Sequence, residues 1–312
     1  MLENVTTTID PDLCVGCGLC VQVCPSGTLS MRNGKAQVTG SRSLNCGHCQ
    51  AVCPEGAVTV KAIDEAMSQF VNFAPDNNWL PYGDFDTAQL VRLMASTRSC
   101  RNFLPRIVDR SILEDLVKIG CTAPSGTNCQ LWTFTILPTR EAVMTFGKET
   151  RRFYLKLNSM AKNRWLRLFL KFIGKPELDT YYREYYESVK EGIEEFERSG
   201  VDRLFHGAPA AIVVGCKTQA TLPREDALLA SQNILLAAHS MGLGSCLIGM
   251  AVEPMKRDAR IQTAIGVPSD EKVYAVIALG YPSERYQKTA GRKKAVVRYS
   301  ELTTPASLLQ SR

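Results

Sequence analysis

Apolar residues recur along this chain with two different periods. Across 86–103 ("DTAQLVRLMASTRSCRNF") Leu90, Leu93 and Met94 keep helical spacing, and Asp86 stands where an N-cap belongs. Across 109–126 ("DRSILEDLVKIGCTAPSG") Ile112, Leu116 and Ile119 share one face, and Ala-Pro-Ser-Gly stops the helix. "LWTFTIL", "PAAIVVGC" and "KVYAVIALG" are short apolar runs that read as buried strands. "DALLASQNILLAAHSMGLGS" is a long, nearly all-apolar helix, suited to the centre of a domain or to a dimer interface. Helices mixed with separate strands predict an α+β fold.

The front of the chain has another pattern. "GTLSM" and "GAVTV" are strand-like pieces, and each follows a run of cysteines. The first run is Cys14-x2-Cys17-x2-Cys20-x3-Cys24-Pro25, the spacing of a bacterial iron–sulfur loop. Two-residue gaps wrap a short loop round one face of a cluster, and the proline turns the fourth cysteine away. Cys17, Cys20, Cys24, Pro25 and Gly27 recur 29 positions later as Cys46, Cys49, Cys53, Pro54 and Gly56. The third cysteine, the Cys-Pro endings and the repeat weigh against a zinc ribbon. Cys14 alone has no repeat partner, because position 43 is Ser43.

Residues 63–85 form a connection: "AIDEAMSQF" has the length of two helical turns, and "NFAPDNNWLPYGDFD" is rich in Pro, Asn, Asp and Gly. We therefore divide the chain into 1–62, the linker 63–85, and a large domain over 86–312 with a helical insertion at about 151–205. The 312 residues, 45% hydrophobic and 22% charged, fit a globular protein, and a net charge of +6 without a basic block gives no nucleic-acid signal. "MLENVTTTID" is no signal peptide and no stretch reaches the roughly 18 apolar residues of a spanning helix, so a cytoplasmic location is expected. There, twelve cysteines point to metal ligands or catalytic groups rather than disulfides.

Residues 1–62 resemble a two-cluster bacterial ferredoxin. In that pattern the fourth cysteine of each run serves the other cluster. The resemblance thus implies one 4Fe-4S cluster on Cys14, Cys17, Cys20 and Cys53. The other, 4Fe-4S or 3Fe-4S, would rest on Cys24, Cys46 and Cys49 with Ser43 in the fourth place. Ser43 as an alkoxide ligand, or an open, labile or absent fourth iron, are the alternatives; His48 sits between two ligands and is expected to point elsewhere. Such clusters pass electrons singly and do no bond chemistry, so this domain is an electron input.

"TRSCRNF" (97–103), "APSGTNCQLW" (123–132), "HGAPAAIVV" (206–214), "MGLGSCLIGM" (241–250) and "LGYP" (279–282) occur in the order seen in FMN-dependent nitroreductases. The whole chain therefore resembles ferredoxin–nitroreductase fusions. The resemblance assigns Arg98, Ser99 and Arg101 to the flavin phosphate and ribityl chain, with Thr97 where the family has another arginine. It assigns Pro124, Ser125 and Asn128 to the isoalloxazine edge, and Gly244, Ile248 and Gly249 to a close backbone approach to the ring. Lys288 and Arg292 match the C-terminal phosphate contacts. It further implies a homodimer with flavin between the subunits. Taken alone, Cys100, Cys121, Cys129, Cys216 and Cys246 are small buried hydrophobes, and His206 and His239 are structural; no protein acid or base is assigned.

"MAKNRWLRLFLKFIGK" (160–175) sets Arg164, Arg167, Lys171 and Lys175 on one face and Trp165, Phe169 and Phe172 on another. That is the pattern of a helix on an anionic membrane surface. We prefer a helix packed over the flavin pocket or across a dimer, its cations in water. The tyrosine-rich stretch "YYREYYESVKEGIEEFE" is expected to add aromatic walls to that pocket. The expected function is an iron–sulfur flavoprotein oxidoreductase that takes electrons from ferredoxin or NAD(P)H. It would pass hydride to a flat electron-poor molecule: a nitroaromatic, quinone or activated alkene. Reductive dehalogenation, enone reduction and non-catalytic electron transfer or redox sensing are the rivals.

Overall fold

The computed structural model describes residues 3–300. The front domain is built from β1 (Glu3–Asn4), β2 (Thr7–Ile9), α1 (Leu19–Gln22), β3 (Leu29–Arg32), β4 (Lys35–Val38), β5 (Arg42–Ser43), α2 (His48–Ala51) and β6 (Val58–Val60). Its elements obey the 29-residue repeat. Gly18 and Gly47 precede α1 and α2 at φ of 76° and 78°, and Gly27 and Gly56 lie at 59° and 62°. These left-handed positions let each ligand loop enter its helix without a Cβ clash. β2 pairs with β6 and β3 with β4, both antiparallel, so each hairpin-like pair joins the two halves of the repeat. A small core of Leu29, Ala36, Val58 and Val60 lies among the buried Cys20 and Cys49.

The connection from residue 63 makes one 3-10 turn, Glu65–Ser68, in place of two helical turns, because Asp64 caps only Ala66. Its continuation is pinned to the large domain. The Asp115 carboxylate accepts hydrogen bonds from the Val71 and Asn72 amides and from Asn72 Nδ2, at 2.8–3.1 Å.

The large domain runs through α3 (Thr87–Ser96), α4 (Arg110–Gly120), β7 (Trp132–Leu137), α5 (Arg140–Lys162), α6 (Arg164–Phe172), α7 (Glu177–Glu184), α8 (Tyr186–Ser199), β8 (Ala210–Lys217), α9 (Pro223–Ser240), β9 (Gly244–Leu247), α10 (Gly249–Arg257), α11 (Ala259–Ala264) and β10 (Glu271–Gly280). Asp86 does cap α3, accepting from the Ala88 and Gln89 amides, an arrangement that contributes about 1 kcal/mol. The sheet has the order β7-β8-β10-β9 with antiparallel pairs throughout.

Both faces of this sheet are covered. Ala210, Ile212 and Val214 of β8 pack with α4 and α9, whereas Ala211 and Val213 pack with α5, α10 and α11. β10 switches faces at a bulge between Val273 and Ala275. Two-sided burial explains why these strands read as unbroken apolar runs. No helix of the described residues is long and apolar enough to cross a membrane.

The insertion departs from its sequence reading. α5 starts at Arg140, and 160–175 is not one helix: Asn163 ends α5 and caps α6, accepting from the Leu166 amide. Arg167 lies inward, 3.5 Å above the Tyr182 ring and beside Asp179, while Trp165 and Phe172 are 81% and 89% exposed. Lys175 lies beyond the end of α6. The cation expected in water is packed inside because Tyr182 and Asp179 offer it a face and a charge, and the aromatic face points outward.

Burial opposes charge on Asp115, but hydrogen bonds from Asn72 and Val71 outweigh it and hold the carboxyl below its ordinary range. A lowered folded pKa contributes stability that is full above the ordinary aspartate value and fades as pH falls through the folded one. Asp115→Ala should cost roughly 3 kcal/mol in urea unfolding and speed proteolysis near Val71. Asp115→Asn should lose most of the wild type's loss of stability below about pH 4; unchanged acid sensitivity would refute this role.

Candidate functional site

Two cavities occupy the front domain. Cys14, Cys17, Cys20 and Cys53 surround one, with Ile9 and Val58 as apolar walls. Cys24, Cys46 and Cys49 surround the other together with Ser43. This is the partition that the ferredoxin resemblance implies. Among the described residues no three His, Cys, Asp or Glu side chains converge as a single ion requires. Backbone N–H groups are aimed at the sulfurs. Ala57 donates to Cys53 Sγ at 3.3 Å, and N–H groups of Ala36 and Gly16 lower the Cys14 thiol pKa. Burial pushes Cys20 and Cys49 up, a cost that binding to iron as thiolate offsets. Donor set, N–H groups and cavities all fit sulfur-ligated clusters.

Ser43 is only 7% exposed, and its Oγ accepts the Asn45 amide at 3.0 Å. An N–H donor on that oxygen favours negative charge there, as N–H groups do on cluster thiolates. His48, expected to point elsewhere, is exposed at the start of α2 and is nonetheless among the residues that line the cavity of Cys24, Cys46 and Cys49.

A third cavity, of about 530 Å³, opens at one end of the large sheet and is lined by Arg92, Arg98, Cys100, Gly244, Glu284 and Lys288. The loop after α3 is held there because the Cys100 amide donates to Ser245 O and the Leu104 amide to Tyr281 O. Ser99 bridges Ser245 across the same edge. Arg92, Arg98 and Lys288 form no ion pair among the described residues, which leaves three cations free to meet an anion such as a phosphate. Cys100 is a neutral thiol: burial pushes its pKa up to about 12, and Sγ donates to Glu284 Oε2 at 3.2 Å.

The other expected flavin residues are dispersed. Gly244 is needed by packing, since a Cβ there would sit 2.8 Å from Cys100 Sγ. Ile248 has its side chain in the core and its amide on Val276 O. Gly249 faces open space, with nothing within 4 Å of where a Cβ would stand. Arg101 stands near His206 and Cys246; burial first, then this cation, lowers the His206 pKa. Arg292 turns back on the Ala290 and Gly291 carbonyls and does not reach the cavity. Pro124, Ser125 and Asn128 lie outside it too. Ser125 Oγ accepts the Gln130 amide, and Asn128 Nδ2 donates to Leu44 O at 3.0 Å in the front domain.

A fourth, apolar cavity of about 350 Å³ lies between α5 and α8, walled by Tyr154, Tyr185, Val189, Ile193, Phe196 and Met250. Burial raises the Tyr154 pKa, and its hydroxyl donates to Met250 O at 2.9 Å. Arg151 lies 3.6 Å above Phe196. Sequence reasoning had named the 181–197 stretch that supplies Tyr185 and the 241–250 motif that ends at Met250, but it missed Tyr154 and Arg151, which carry no motif. No residue of α6 lines this cavity or the one at Arg98.

The nitroreductase family model matches residues 94–281, and two 4Fe-4S binding domain models match 7–30 and 44–57. A Methanothermobacter thermautotrophicus protein whose assigned name is NADH dehydrogenase/NAD(P)H nitroreductase is 43% identical over 207 residues, covering 65% of this chain and 82% of that one. A 4-nitrobenzoate reductase of a Nocardioides strain is 25% identical over 62% of this chain and 81% of its own. An iodotyrosine deiodinase of Haliscomenobacter hydrossis is 24% identical over 64% and 81%. Among solved structures, a Bacteroides fragilis nitroreductase with bound FMN superposes with a TM-score of 0.50 at 21% identity. That match covers 68% of this chain and 99% of the other.

Ser43→Cys should convert the cavity of Cys24, Cys46 and Cys49 into a four-thiol site. The electron paramagnetic resonance of the reduced protein should then change in one cluster signal and keep the other. Identical spectra for variant and wild type would remove Ser43 from the cluster environment.

Proposed function

This chain belongs to the nitroreductase family, with a ferredoxin-type module fused ahead of the family domain, and from that premise we propose an FMN-dependent iron–sulfur oxidoreductase. Single electrons enter the cysteine-lined module and are delivered in pairs to a small acceptor. The carrying observation is the coexistence of two cysteine-ringed cavities with an unpaired cation cluster at Arg92, Arg98 and Lys288.

Flavin, when bound, supplies the conversion of one-electron input into hydride chemistry. The chain's own residues bind, orient and shield. Arg98 and Lys288 present fixed positive charge to the phosphate, and Arg92 adds to the field. Gly249 leaves room for a flat ring against backbone. Cys100 is held protonated and donates to Glu284, the carboxylate that lines the same cavity. The cysteine sets Cys14, Cys17, Cys20, Cys53 and Cys24, Cys46, Cys49, with Ser43, would hold the two clusters.

The acceptor is a flat, electron-poor molecule: a nitroaromatic, a quinone or an activated alkene. The aromatic-walled cavity beside Met250 supports this class, since planar rings gain from offset stacking and exclude water from the transfer. A pocket closed by α6 would have favoured a mere electron carrier, and α6 lines neither cavity. Exposed Leu90, Val91 and Met94 on α3, with Leu228 and Leu229 on α9, support a homodimer, in which a second copy would bring the 124–128 loop to the flavin.

Anaerobically purified and reconstituted protein should contain both iron and FMN, sediment as a dimer, and reduce a nitroaromatic with reduced ferredoxin or NADPH. The double variant Arg98→Ala, Lys288→Ala should bind FMN at least about 100-fold more weakly, with iron content unchanged. Absence of both iron and FMN from the wild type would overturn the proposal.

A further inference from the structure

The two halves of the ferredoxin-type module face different surroundings. The first half is open: Cys17 is exposed, and Leu13 and Val15 beside it are 51% and 65% exposed. The second half touches the large domain. Asn128 Nδ2 donates to Leu44 O at 3.0 Å and Asn45 O at 3.4 Å, carbonyls that lie in sequence between Ser43 and Cys46.

This contact is built from both sides. Gln130 Nε2 donates to Asn128 Oδ1 at 3.0 Å, which fixes the amide with its N–H groups toward the module. Asn45 is 5% exposed and is tied in every direction. Its Oδ1 accepts from the Thr6 amide and hydroxyl, its Nδ2 donates to Asn4 O and Glu3 Oε2, and its own amide holds Ser43 Oγ. Backbone strain is concentrated here as well. Thr127, Asn128 and Gln130 have φ of 53°, 56° and 47°, and Asn45 has 49°. Asn adopts this left-handed region readily, but a β-branched Thr and a Gln do so rarely, and such outliers persist where surrounding bonds hold them. A merely covalent linker between two modules has no need of strained loops that meet amide to carbonyl.

We infer that the module hands electrons to the large domain from its Ser43 half, with Asn128, oriented by Gln130, as the positioning residue that holds the Leu44–Asn45 segment against the 124–130 loop of the large domain, and that the Cys17 half is the face presented to the donor. The inference rests on the iron–sulfur flavoprotein reading. Each event moves one electron: a reduced one-electron carrier protein is oxidised at the Cys17 face, and the large domain is reduced by one across the Asn128 contact. Protons taken up at the acceptor come from solvent. Asn128 acts through the backbone: it polarises the carbonyl of Leu44, whose peptide partner is the Asn45 amide that bonds Ser43 Oγ.

The test uses the full-length holoprotein under anaerobic conditions, with Asn128→Ala and Gln130→Ala. Amide hydrogen exchange over residues 44–47 should rise roughly tenfold in Asn128→Ala and less in Gln130→Ala, with exchange over 15–20 unchanged. One cluster's midpoint potential in a spectroscopic redox titration should shift, and it should be the one altered by Ser43→Cys. After flash reduction, transfer from clusters to flavin should slow about tenfold or more, while reduction of the clusters by external reduced ferredoxin stays at the wild-type rate. Val15→Glu should do the reverse. Wild-type exchange at 44–47 with wild-type internal transfer in Asn128→Ala would overturn the inference. So would slowed internal transfer in Val15→Glu. A merely structural part for Asn128 in its own loop would leave the cluster potential unmoved, which also counts against it. Iron and flavin content of the wild type reports separately on the function reading itself.

Discussion

β8 has no face for water. Every residue from Ala210 to Cys216 is buried, with alternate side chains delivered to two separate cores. A strand in that position must be apolar on both faces, must pair on both edges, and must have helices above and below. The rest of the large domain answers to this requirement. α4 and α9 cover one face, α5, α10 and α11 the other, and β10 needs its bulge to keep both cores supplied. Site residues then come from the rim, where the loops after α3, α9 and β10 meet at one end of the sheet.

The front domain meets the opposite problem. It has too few residues for a self-sufficient core, and its buried positions are largely cysteines around voids. Thiolates that bind a cluster in the folded state alone link binding to stability, so a module of this composition is expected to gain stability from what its cysteines hold. The repeat makes this economical in sequence: one loop design, with Gly18 and Gly47 in the same left-handed conformation, serves both halves.

This difference decides what could be read from the chain. Cysteine spacing is a local code: the 29-residue offset exposed the repeat and the place of Ser43, and the ferredoxin resemblance then implied that Cys53 joins Cys14 and Cys24 joins Cys46, the partition the two cavities have. Strands buried on both faces and a capped helix such as α3 are likewise local, and they were legible. What depended on distant partners was not. The break at Asn163 needed Arg167 to find Tyr182, and the closeness of Cys100 to the Cβ position of Gly244 is set by two segments distant in sequence. Asn128 sits in a loop whose motif speaks of flavin, while its amide is engaged 84 residues away in sequence by Leu44. A side chain's direction is set by its neighbours in space, here Gln130, and no period along the chain encodes it.

Ser43 gains its meaning from that contact. The half of the module with a complete cysteine set is the exposed half, and the half with an oxygen in place of one sulfur is the half against the large domain. In the proposed order the donor sets the level of the first centre, and any reduced carrier with sufficient driving force can fill it. The second centre alone adjoins the acceptor side, so its potential governs the final one-electron step. Cluster type, charge and hydrogen bonding set that potential, and Ser43, the Asn45 amide and the Asn128-polarised Leu44 carbonyl act on all three at one place. In that proposed order, a substitution that would be a defect in a symmetric ferredoxin falls at the centre nearest the acceptor side, where a change of potential acts directly on the last step.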